Sequence, residues 1–139
     1  MEKEKGSGSE ISIQRMVPFE FVVIGEPVSI NSKSTPKKRK WQALVRKSAD
    51  AVWTAGDSPL AVELKVSILY AYETTKRDAD NIPKFVVDAL KGLVYADDGQ
   101  IGRVFIDRIQ INDHHRIRNV TPELARGIAS GRDFVFVRV

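Results

Sequence analysis

The chain has 139 residues, a length for one domain and too short for two ordinary ones, and its 42% hydrophobic content argues against wholesale disorder. It holds no cysteine, which excludes disulfides, thiolate catalysis and cysteine-based zinc sites, and no apolar run approaches the ~20 residues that a membrane helix requires. The net charge of +4 is unevenly spread: Pro27 to Ala49 carries seven Lys/Arg and no acid, while the remainder carries fifteen bases against eighteen acids.

Residues 1–16 read as a flexible polar tail. They lack the apolar core of a secretory signal, and Gly6-Ser7-Gly8-Ser9 has linker composition. The domain is therefore expected to span 17–139. Its first element is a strand, Phe19 to Ile24, ended by Gly25. A polar turn-forming stretch leads to Thr35-Pro36, a helix start with Thr as cap and Pro in the first turn. Trp41, Leu44, Val45, Ala49 and Val52 then recur at three- and four-residue spacing, predicting an amphipathic helix to about Trp53 whose beginning is basic. Trp41 could stack on an unpaired base, but core packing is the favoured reading.

After the break at Gly56-Asp57-Ser58-Pro59, Val62, Leu64, Val66, Ile68 and Tyr70 alternate with polar residues, predicting a long half-buried strand. Asp80 or Asn81 caps a second helix, with Pro83 in its first turn, Phe85, Val86, Ala89, Leu90 and Leu93 as its buried stripe, and Gly92 as its stop. Ile101 to Ile111 alternates with apolar residues on both faces, consistent with a central strand. A helical turn is expected at Thr121 to Ile128, and Phe134 to Val137 forms a last strand. The sum is a single α/β (α+β) domain with a mixed sheet of about four strands and two main helices. The adjacent His114 and His115 point to opposite sides of an extended chain and are read as loop residues.

The acids cluster around the second helix. Asp78 and Asp80 precede it, Asp88 lies within it, and Asp97-Asp98 follows it. If the helix packs antiparallel to both flanking strands, the two acidic loops are expected at one edge of the sheet, with Lys84 one turn inside. Clustered carboxylates repel unless a cation compensates, and oxygen-only donors suit Mg²⁺ or Mn²⁺ better than zinc. Such a centre suits phosphoryl transfer. The alternative is ordinary: a turn plus an N-cap at Asp78 and Asp80, and a plain loop at Asp97-Asp98-Gly99.

The run Arg77-Asp78-Ala79-Asp80-Asn81-Ile82-Pro83-Lys84, followed by Asp88-Ala89-Leu90 and Asp97-Asp98-Gly99-Gln100-Ile101, resembles the RusA family of Holliday junction resolvases. The family signature is Asp-x-Asp-Asn-x-x-Lys, then Asp-Ala-Leu, then Asp-Asp-x-Gln-Ile/Val, and every position is filled here at the family spacing. Pro83 falls at a variable position. The Gly25 to Lys40 stretch is similar in character only, and Asn112 to Gly131 has no counterpart in the family pattern.

The resemblance implies a small homodimeric endonuclease, dependent on Mg²⁺ (Mn²⁺ substituting), that nicks four-way DNA junctions on opposing strands in recombination and repair. It implies Asp78, Asp80 and Asp98 as metal ligands and catalytic acids, Asp97 as a secondary ligand and Lys84 as the catalytic lysine. The basic segment, Lys33, Lys37, Lys38, Arg39, Lys40, Arg46 and Lys47, together with Arg77, is the expected contact to DNA phosphates. Neither a membrane nor a small-molecule cofactor is expected, and the location implied is cytoplasmic, with the nucleoid or as a phage product. The rival readings are a non-catalytic DNA-binding module of the same fold and a metal-dependent nuclease for flaps or RNA.

Overall fold

The computed structural model describes residues 18–27, 35–53, 59–73, 82–112 and 117–139. In chain order it contains β1 (Glu20–Ile24), α1 (Thr35–Val52), β2 (Leu64–Tyr72), α2 (Ile82–Leu90), a 3-10 turn (Asp98–Gln100), β3 (Ile101–Gln110), α3 (Pro122–Ala129) and β4 (Phe134–Arg138). The strands form one mixed sheet in the order β1-β4-β2-β3. β4 pairs antiparallel with both β1 and β2, whereas β2 and β3 run parallel and are joined through α2. This is the expected α+β domain, with a third helix where only a turn was foreseen.

The alternation in β2 does what its period demands. Leu64, Val66, Ile68 and Tyr70 are buried toward α1 and α2, while Lys65 is exposed. Val62 falls before the strand and is exposed. The stripe of α1 supplies Trp41, Val45 and Ala49 to the same core, and α2 supplies Val86, Ala89 and Leu90. Trp41 is 4% exposed and stands edge-on to Phe85 at 6.0 Å, so the core reading of this tryptophan holds. Leu44, expected in the stripe, is 40% exposed and lies off the buried face.

The opposite face is covered over β1 and β4 by α3. Thr121 starts this helix by accepting a hydrogen bond from the Leu124 amide at 3.4 Å, with Pro122 in its first turn. Leu124 packs with Val22, Ala71, Phe134 and Phe136 into a second, smaller core. Gly127 permits the close approach, because a Cβ there would stand 2.8 Å from the Phe134 ring.

β3 departs from expectation. It is an edge strand, not a central one. Val104 and Phe105 are 41% and 47% exposed, and Lys65 Nζ lies over the Phe105 ring at 5.8 Å from its centroid. Apolar residues on both faces misled because exposed apolar side chains are ordinary at surfaces. Arg103, Asp107 and Arg108 were the better signal, since charges on an edge strand discourage pairing with other chains.

Candidate active site

The parallel pairing of β2 with β3 overturns the expectation that both acidic loops leave one edge of the sheet. The register sets Leu64 beside Ile101 and Tyr72 beside Gln110. The chain therefore leaves β2 at one edge and enters β3 at the other, as any parallel crossover requires. Asp98 belongs to the Leu64 edge, while the segment holding Asp78 and Asp80 follows the Tyr72 edge.

What brings Asp98 back toward α2 is the turn between them. Gly92, at φ +84°, allows the chain to reverse, and its amide donates to the Tyr95 carbonyl at 2.7 Å. The Leu93 and Val94 amides both donate to the Leu90 carbonyl, closing the helix end. Tyr95 is then fully buried, and its hydroxyl donates to the Val87 carbonyl one turn inside α2. Burial raises the Tyr95 phenol well above its usual range, and the nearby carboxylates of Asp88 and then Asp98 raise it further. Two carboxylates thus act on one phenol.

Gln100 fixes the turn that carries Asp97 and Asp98. Its Oε1 accepts from the Ala96 and Asp97 amides, each at 3.0 Å, while its Nε2 donates to the Leu60 carbonyl at 2.8 Å and the Val62 carbonyl at 3.0 Å. All four hydrogen-bonding capacities of the amide are used. The acidic turn is thereby tied to the segment that leads into β2, and the Leu60 amide donates to the Val94 carbonyl in the same region. Asp97 and Asp98 remain exposed, and Asp97 makes an exposed ion pair with Lys91 at 3.7 Å. That pair is worth at most about 1 kcal/mol.

Lys84 is exposed in the first turn of α2, one turn from Asp88 on the same side. α1 packs directly against α2, and a cleft of about 510 Å³ between them is bordered by Arg39, Gln42, Arg46 and Asp88. Lys37, Arg39, Lys40, Arg46 and Lys47 are exposed and Lys38 is half-buried, so the basic helix adjoins the acid-bearing one. Arg46 has a further role: its Nη1 donates to the Ala89 carbonyl at 3.1 Å and the Lys91 carbonyl at 2.7 Å, satisfying the C-terminal end of α2.

Asp78, Asp80, Arg77, Asn81, Lys33 and the two histidines lie outside the described residues. Among the described residues no group of three or more His, Cys, Asp or Glu could hold a metal ion. The acids that are described, Asp97 and Asp98, present exposed carboxylate oxygens in a field already negative enough to act on Tyr95. Hard oxygen donors in such a field fit a hard divalent cation. Sequence reasoning missed Tyr95 and treated Gln100 as a motif position only. The apolar pair Val94-Tyr95, one residue ahead of two acids, was the signal that the acidic loop is anchored in the core.

A family model described as Endodeoxyribonuclease RusA matches residues 27–118, a span from just after β1 through α1, β2, α2 and β3. No curated protein matches the chain. The match covers well over half of the sequence and takes in the Gln100-anchored turn, the α1–α2 cleft and the whole parallel crossover, and the chain belongs to the RusA endodeoxyribonuclease family.

Proposed function

We propose that this protein is a metal-dependent endonuclease that resolves four-way DNA junctions by paired nicks, acting as a homodimer. The observation that carries the reading is the match to the RusA endodeoxyribonuclease family over residues 27–118, and the Tyr95–Val87 hydrogen bond, which ties the segment leading to Asp97 and Asp98 to α2, supports it. Asp78 and Asp80 stand four and two residues ahead of Ile82, the first residue of the same helix. In this reading Asp78, Asp80 and Asp98 hold the cation, Mg²⁺ or Mn²⁺, with Asp97 as an auxiliary ligand. When bound, the cation supplies Lewis-acid activation of water and neutralises charge on the scissile phosphate.

The chain's own residues do the rest. Lys84 holds a phosphate oxygen and stabilises charge that develops there. Lys33, Lys37, Lys38, Arg39, Lys40, Lys47 and Arg77 seat the DNA backbone, with Arg46 shared between the DNA and the end of α2. Phosphate contacts position DNA without reading its sequence, so preference for a junction comes from shape and from two-fold symmetry. A homodimer matches the two-fold axis of a four-way junction. No described helix is long and apolar enough to cross a membrane, and the working compartment is the one that holds DNA, the cytoplasm of a cell or of a phage-infected host.

Side-by-side cleavage of a four-way junction, a flap, a linear duplex and single-stranded RNA, each with Mg²⁺, tests this. Symmetric nicks confined to the junction are the expected result. Preference for the flap or RNA would replace the substrate, and binding without any cleavage would leave a DNA-binding module in place of an enzyme. Asp80→Asn should abolish nicking while junction binding is kept or strengthened, because a negative charge near DNA is removed. Full residual activity in that variant would sink the site.

A further inference from the structure

The loop that bears Asp97 and Asp98 is exposed from Ala96 to Gly99, yet both of its ends are pinned to one core residue, Leu60. The Leu60 amide donates to the Val94 carbonyl at 2.7 Å, and the Leu60 carbonyl accepts from Gln100 Nε2 at 2.8 Å. The first pin is backbone on both sides and would form with other side chains at position 94. The second depends on a side chain, that of Gln100, which is half-buried although the four residues before it are exposed.

A 3-10 turn of three residues is weak by itself. Its backbone contributes the Gln100 amide to the Asp97 carbonyl at 3.0 Å and the Ile101 amide to the Asp98 carbonyl. The Gln100 carboxamide adds four hydrogen bonds, two within the turn and two to the segment ahead of β2. Only a group that donates and accepts at once can make both pairs. Glu lacks the donor, Asn is one methylene shorter, and Met supplies neither half.

We infer that Gln100 is a positioning residue for the cation: by holding the turn to Leu60 it presets where Asp98 presents its carboxylate, and so sets the divalent-cation affinity of the site. The inference rests on the reading of Asp98 as a ligand given above. Both polar atoms of the Gln100 side chain are engaged by backbone groups, so it acts through Asp98 and not on the substrate. A donor already in place loses less freedom on binding, and groups that orient a metal ligand are typically worth about 10–100-fold in affinity.

Mn²⁺ binding to the DNA-free protein, read from the electron paramagnetic resonance of free Mn²⁺, tests this. Gln100→Met should bind Mn²⁺ at least ~10-fold more weakly than wild type. Without metal, its Ala96 and Asp97 amides should exchange faster with solvent. In nicking assays the Mg²⁺ concentration for half-maximal rate should rise by a like factor, while the rate at saturating Mg²⁺ and the metal-free affinity for the junction stay near wild type. Gln100→Asn should weaken Mn²⁺ binding in the same direction and carries the test if Gln100→Met does not fold. Gly127→Ala, strained against Phe134 in the second core, should bind Mn²⁺ as wild type does. Wild-type Mn²⁺ affinity in the Gln100 variants, with affinity lost in Asp98→Asn, would overturn the inference and leave Asp98 as a ligand. Parallel weakening in Gly127→Ala would overturn it too, by reducing the effect to lost stability. Unaltered Mn²⁺ affinity in Asp98→Asn would instead remove the reading of Asp98, and the inference with it.

Discussion

Gln100→Glu isolates what holds the acidic turn. The substitution keeps the Oε1 acceptor used by the Ala96 and Asp97 amides and replaces the Nε2 donor with an oxygen. The Leu60 and Val62 carbonyls, now 2.8 and 3.0 Å from an amide nitrogen, would face a carboxylate. Two lost hydrogen bonds cost about 1 kcal/mol each, and half-buried repulsion adds a fraction more, for a total of about 2–3 kcal/mol at neutral pH. In a domain of this size that lowers Tm by about 6–10 °C. The penalty also has a pH signature. Facing two carbonyls raises the pKa of the new carboxyl above its unfolded value near 4.3. The deficit is therefore full at neutral pH and shrinks as pH falls through that raised value, where the carboxyl can again donate to one carbonyl. Thermal unfolding of both proteins between pH 4 and 8 is the assay. A Tm within about 1 °C of wild type, with no dependence on pH, would refute the role assigned to Gln100.

Charge reversal at Lys37, Lys38 and Arg39 should weaken junction binding and flatten the salt dependence, by up to about 2.7 in the log–log slope if all three meet phosphates; an unchanged slope in a fluorescence anisotropy titration would reduce the basic run to a solubility feature. Arg46→Gln removes the guanidinium that closes α2 and should lower Tm by several degrees, whereas Lys47→Gln should not. Gly127→Ala forces a methyl to within 2.8 Å of the Phe134 ring and should destabilise by about 1–2 kcal/mol despite the better helix propensity, measured by urea unfolding. Tyr95→Phe should cost about 1 kcal/mol at neutral pH through the lost bond to Val87. Because the folded-state pKa of Tyr95 is raised, its contribution is complete below the unfolded value of 10.0 and declines as pH rises beyond it. The gap between wild type and variant should therefore narrow above that pH, and a constant gap would contradict the assignment.

Much of the domain was legible because its signals are local. The alternation of Leu64 to Tyr70, the three-four spacing of Trp41, Val45 and Ala49, and the Thr35-Pro36 start all fix elements through neighbours in sequence. The sheet order was not, because nothing in β3 states which strand lies beside it. The misplaced edge of the acidic loops has the same origin: strand direction follows from pairing, and the parallel register of β2 with β3 is a long-range fact. Within the site, Asp98 and Gln100 could be picked out by spacing. The means of holding them could not, since Tyr95 reaches back eight residues to Val87 and Gln100 back forty residues to the Leu60 carbonyl, ahead of β2.

Nicking of a synthetic four-way junction by Asp98→Asn, read beside its affinity for the same junction in Mg²⁺, addresses the central claim most directly. The account predicts that cleavage is lost while binding and Tm are preserved, since Asp98 is exposed and contributes charge rather than packing. Wild-type cleavage by that variant would contradict it.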